Sequence, residues 1–109
     1  MGAIYQVKNN NKGVEYYSNL AVAKHHARCY LAERVCQREP NAHNISYNEK
    51  ISYVGGYAML VLTASLSRDY GTRKTYRQYI KCPRVNENWT CADGTNDFYN
   101  FIKSMRGNR

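Results

Sequence analysis

Apolar and polar positions along this chain change period several times, and each change predicts a new element. Ala3 to Lys8 and Val14 to Tyr17 are short and rich in strand-forming residues. Between them Asn9-Asn10-Asn11-Lys12-Gly13 tolerates positive φ, so the stretch predicts a β-hairpin with a five-residue loop. Leu20, Ala23, Ala27, Tyr30, Leu31 and Val35 then recur at helical spacing, with Ser18 as the expected N-cap and Pro40 as the stop. The small Ala23 and Ala27 allow close approach to a sheet. Lys24, Arg28, Arg34 and Arg38 fall on or near the opposite side of that helix.

The segment from Asn41 to Asn48 is polar and reads as loop, with a short strand at Ile45 to Tyr47, and Ile51 to Val54 reads as a separate strand. Gly55-Gly56 marks a turn, a bulge or a close backbone approach. Tyr57 to Ala64 is apolar at both parities, which predicts a central strand covered on both sides for part of its length. Asp69-Tyr70-Gly71 turns the chain back. From Thr72 to Cys82 the residues alternate: Arg73, Thr75, Arg77, Tyr79 and Lys81 point one way, and Lys74, Tyr76, Gln78, Ile80 and Cys82 the other. Pro83 ends regular pairing or places the strand near an edge. Trp89 to Cys91 fits one more short strand after the turn at Asn86-Glu87-Asn88. Asp93-Gly94-Thr95 leads into a last helix with Phe98, Phe101, Ile102 and Met105 on one face and Gly107 as its stop.

Together these elements predict an α+β fold of order β-β-α-β-β-(β)-α. Four to five mainly antiparallel strands form the sheet, and two helices pack on one face of it. With 109 residues, 43% of them hydrophobic, the whole span 1–109 is expected to be one domain. The opening residues lack the pattern of a secretory signal, and the longest apolar run is far short of a membrane span. A cytoplasmic protein is expected, with the sequons at Asn44 and Asn88 unused.

Charge changes the picture most. Sixteen Lys and Arg stand against eight Asp and Glu, a formal net charge of +8. That sign favours nucleic acid, an anionic membrane surface or an acidic protein face as partner, and no membrane role is expected. Arg73, Arg77 and Lys81 share one strand face at intervals of about 13 Å, a spacing that can follow a phosphate backbone, and Tyr79 beside them can stack on a base. Arg68, Lys74 and Arg84 enlarge this zone, and Lys24 and Arg28 supply a cationic helix side. The plainer account is a solvated face whose long cations protect an edge strand. Eleven tyrosines suit a binding surface, although half-buried strand packing accounts for many of them equally well.

His25 or His26 with Cys29 can grip one metal ion from a helix, but Cys36 lies about 10 Å further along and no spacing completes a ligand set. No metal and no cofactor is expected. Cys82 and Cys91 would face each other across a two-residue turn, yet free thiols are expected in a reducing compartment. No phosphate-cradling glycine loop, nucleophile elbow or metalloprotease pattern is present, so the protein is not expected to be an enzyme.

The opening Ile4-Tyr5-Gln6-Val7, followed by Gly13-Val14-Glu15-Tyr16-Tyr17-Ser18-Asn19-Leu20-Ala21-Val22-Ala23, is similar in style to many small bacteriophage accessory proteins. Those begin with a tight hairpin whose second strand runs into a Ser-capped helix, and the asparagine and tyrosine enrichment also resembles that group. The resemblance covers the first third of the chain. It implies a host-takeover or anti-defence role through binding to a host machine.

The leading expectation is a non-enzymatic basic protein that engages nucleic acid or a nucleoprotein complex through the Arg73–Lys81 strand and the first helix. The alternative is an inhibitor or adaptor docking on an acidic surface of a nucleic-acid-handling host protein. The oligomeric state is left open, a homodimer included.

Overall fold

Asn9 shapes the first hairpin. Its side-chain carbonyl accepts the amides of Asn11 and Gly13, both at 2.9 Å, while its own amide donates to the Gly13 carbonyl at 3.0 Å. Lys12 takes the left-handed conformation with φ 67°, and a Cβ on Gly13 would lie 2.9 Å from the Asn9 amide nitrogen, so a larger residue there would have to displace that side chain. The loop joins β1 (Tyr5–Lys8) to β2 (Val14–Tyr17), with Lys8 opposite Val14. The computed structural model describes residues 4–40, 44–67, 73–83 and 95–107.

Helix α1 (Leu20–Arg38) is capped by Asn19, not by Ser18. Asn19 is extended, and its Oδ1 accepts from Ala21 N at 2.8 Å and Val22 N at 3.3 Å. Both residue types make good caps. The chain leaves β2 extended through one residue more than expected, which puts the amide side chain in the capping position. At the other end the Glu39 amide donates to the Val35 carbonyl at 2.8 Å, and Pro40 follows.

The expected loop at Asn41 to Asn48 is strand from Asn44 onward. β3 (Asn44–Val54) runs unbroken for 11 residues and pairs with β4 (Tyr57–Ser67) from Asn44↔Ser67 to Val54↔Tyr57. The polar residues Asn44, Ser46, Asn48, Lys50 and Ser52 occupy alternate, exposed positions, while Ile45, Tyr47 and Glu49 point inward and are buried. The polarity belonged to one face of a strand. Gly55 turns the hairpin at φ +59°, the positive first position of a type II′ turn.

Strand β5 (Arg73–Pro83) pairs along β4 and touches β1 at Gln6↔Lys81 and Val7↔Ile80. All pairings are antiparallel, and the five strands lie in the order β2-β1-β5-β4-β3. The fold is therefore α+β with two helices and the expected element order. Asp69-Tyr70-Gly71, Asn86 to Cys91, and Asp93-Gly94 lie outside the described residues.

Both helices cover the same sheet face. Ala23, Ala27, Leu31 and Val35 of α1 are fully buried over β5 and β1, and α2 (Thr95–Gly107) packs beside α1 over β3. From below, Val7, Leu60, Leu62, Ala64, Leu66 and Ile80 close the core. β4 was expected to be covered on both sides for part of its length. Its Ala58-to-Leu66 parity is buried, but no described helix or strand covers the parity of Met59, Val61 and Thr63. Among the described residues no helix is long and apolar enough to cross a membrane.

Of the two phenylalanines, Phe98 is the core residue. It is buried and stacks on Tyr47 with centroids 4.6 Å apart, whereas Phe101 is half-buried beside His25. Replacement of Phe98 by Ala is expected to destabilise the fold by about 3–5 kcal/mol in denaturant titration, and Phe101→Ala by distinctly less. Equal losses would show that α2 is seated differently.

Candidate nucleic-acid interface

The pleat that buries Tyr76, Gln78, Ile80 and Cys82 sends Arg73, Arg77, Tyr79 and Lys81 to the opposite side, where all four are exposed. Cross-strand register extends that side into a surface. Lys81 lies between Gln6 and Met59, Tyr79 beside Val61, and Val61 beside Lys50. Lys8, one position beyond the buried Val7, joins the same face from β1. Arg73, Arg77 and Lys81 follow one another at about 13 Å along β5, and from Lys8 to Lys50 the face spans three strand spacings, about 14 Å.

Two tyrosines stand out of this surface, Tyr79 at 48% exposure and Tyr16 on β2 at 64%. Lys81 Nζ rests over the ring of Tyr57 at 4.4 Å, a cation–π contact that fixes the ammonium above the sheet.

The four glutamates whose side chains are described all sit on the helix side. Glu15 accepts hydrogen bonds from the hydroxyls of Tyr17 and Tyr30, which pull its pKa below the ordinary 4.5. Glu33 accepts from Asn10 at 3.4 Å and Glu39 from the Tyr76 hydroxyl at 3.1 Å. Glu49, 3% exposed, is held by Lys24 at 2.8 Å, Arg28 at 2.9 Å and the Tyr47 hydroxyl at 2.6 Å. Burial pushes its pKa up, but these three donors outweigh burial and the net shift is downward. Every described charged side chain on the uncovered face is therefore a cation.

These positions regroup the residues singled out from sequence. Arg73, Arg77, Tyr79 and Lys81 stand together. Lys74 projects from the helix side of β5, with Nζ 5.8 Å from the Tyr76 ring centroid. Lys24 and Arg28 are bound to Glu49 inside the helix layer, on the other side of the sheet from Arg73, Arg77, Tyr79 and Lys81. Arg68 and Arg84 lie outside the described residues.

A cleft, missed in the sequence, opens where β1 stops and β5 continues. It measures about 720 Å³, and its charged lining consists of Lys8, Lys12, Arg34, Arg77 and Lys81, with Tyr79 on one wall. Two side chains occupy backbone acceptors there: Gln78 Nε2 donates to the Lys8 carbonyl at 2.8 Å and Arg34 Nη2 to the Arg77 carbonyl at 2.6 Å. Arg34 and Arg77 are far apart in the chain, so helical periodicity carries no signal for this meeting. For Lys8 the signal is its parity relative to Val7.

Elsewhere, His25 Nε2 lies 3.8 Å from Cys29 Sγ, and no cluster of three or more metal-ligating groups occurs among the described residues. Cys82 is a buried free thiol whose pKa is pushed up to about 11 by desolvation. Its expected opposite, Cys91, lies outside the described residues.

Fold and face together define a small basic α+β domain with one sheet side sealed by helices and the other cationic. No family model, curated protein or solved structure matches the chain.

Because the folded pKa of Glu49 is depressed, its stabilisation is complete above the ordinary 4.5 and fades as pH falls through the lower folded value. Glu49→Gln is expected to cost about 3 kcal/mol at neutral pH, the low end for a broken buried ion pair because Lys24 and Arg28 can turn to water. The gap from the parent should narrow as the pH of the denaturant titrations drops below 4.5. A gap that stays constant down to pH 3 would rule out an ionised Glu49.

Proposed function

We propose that this protein is a non-enzymatic, cytoplasmic binding protein that engages single-stranded nucleic acid, free or within a nucleoprotein complex, on its uncovered sheet face. The observation that carries the reading is charge segregation. Lys8, Lys50, Arg73, Arg77 and Lys81 share that face with no described carboxylate, and an exposed Tyr79 stands between Arg77 and Lys81. Cations on a strand ladder meet successive phosphates, and an exposed ring among them gives an unstacked base a platform. A duplex would present its bases stacked inside, leaving Tyr79 no role. The likeness of the first third of the chain to bacteriophage accessory proteins extends the proposal to a host nucleic-acid machine as the setting.

Docking on an acidic host protein uses the same cations and makes different demands. It requires neither a ring nor a flat ladder, and it survives nuclease treatment.

Affinity for an oligonucleotide should fall steeply with salt. Five cations each meeting one phosphate give a log–log slope of about −3.5. Arg77→Glu combined with Lys81→Glu, both at exposed positions, is expected to leave the melting temperature unchanged and abolish retention on single-stranded DNA. Tyr79→Ala should cost about 1–3 kcal/mol of binding with little change in the salt slope. Full retention by the double variant would refute the face. A nuclease-resistant complex with one host protein would transfer the site to the docking reading.

A further inference from the structure

The cleft beside β1 differs from the rest of the cationic face in being recessed, with a volume of about 720 Å³. Asn10 fastens the hairpin loop to α1, donating to the Tyr30 carbonyl at 3.1 Å and to Glu33 at 3.4 Å. The walls converge five cations on one volume, and no carboxylate is among the lining residues.

Arg34 gives the cleft its chemistry. Unlike Lys24 and Arg28 on the same helix, it pairs with no described carboxylate, and burial together with nearby Arg38 lowers its pKa. One Nη is held by the Arg77 carbonyl, while the Nε hydrogen is shut off from solvent and has no acceptor. Adjacent Nε and Nη hydrogens form the fork that suits two oxygens of one phosphate. A phosphate at the inner end of the cleft would give that nitrogen its missing acceptor after a modest turn of the guanidinium.

From these contacts we infer that the cleft is a site for a terminal phosphate monoester of a nucleotide, anchored by Arg34 and Lys12, with its base against Tyr79. This deepens the reading of the face as a single-strand surface and rests on it. Along the open ladder each phosphodiester carries one charge, whereas a terminal monoester approaches two above its second pKa near 6. Concentrated cations favour the dianion. The group can arrive at the end of a strand or on a free nucleotide.

Binding of one short oligothymidylate bearing a 5′-phosphate, a 3′-phosphate or hydroxyl ends, and of free thymidine monophosphate, separates the sources. A phosphorylated end is expected to bind roughly tenfold or more tighter than hydroxyl ends, with the gain fading below about pH 6. Saturable binding of free thymidine monophosphate, without an end preference in the oligonucleotides, would assign the same site to a free nucleotide. Arg34→Lys keeps the charge but loses the fork, and it should erase whichever preference is seen. Lys12→Asn, on the exposed loop and compatible with its left-handed backbone, should weaken that preference without touching the core. Equal binding of all ends, with no uptake of the free nucleotide, overturns the proposal yet leaves the sheet face standing. Loss of oligonucleotide binding altogether, with the free nucleotide still bound, would overturn the face and keep the cleft.

Discussion

An extended strand sends consecutive side chains to opposite sides, and here two helices seal only one of them. That constraint decides almost everything else. Each of β3, β4 and β5 buries the residues of one parity under the helices, so whatever occupies the other parity becomes surface. On β5 that leftover series is Arg73, Thr75, Arg77, Tyr79 and Lys81. The cationic array is thus a by-product of packing register, and a slip by one residue would bury it.

The carboxylates obey the same constraint from the other side. Glu49 stands at an inward parity, where an unpaired charge would be intolerable, and Lys24, Arg28 and Tyr47 surround it. Glu15 is likewise placed by β2 beneath Tyr17 and Tyr30. The described glutamates are met by local partners inside the helix layer, and Lys8, Lys50, Arg73, Arg77 and Lys81 are left on the opposite surface. Net charge alone could not have located it.

Much of this was readable along the chain, and the failures have particular causes. The strict alternation from Arg73 to Cys82 identified both faces of β5, and Asn9 to Gly13 identified the first turn. β3 was partly missed because Asn44, Ser46 and Asn48 look like loop residues until their partners on β4 are known. Helical spacing put Lys24 and Arg28 on one side of α1 but could not reveal that a buried glutamate of β3 waits there. Arg34 was read as one more helix cation, since its meeting with Arg77 depends on how α1 crosses β5. Local pattern describes an element well; it says little about which distant groups share a space.

The first hairpin is joined to the rest of the sheet through a seam of just two paired positions, Gln6–Lys81 and Val7–Ile80. β3, β4 and β5 by contrast are zipped along their full lengths. What the short seam lacks is supplied from above the sheet: Asn10 bonds to Tyr30 and Glu33, Tyr30 bonds to Glu15, Tyr17 stacks on His26 and Val7 is fully buried, so the hairpin's place in the fold is decided by α1 more than by its neighbouring strand.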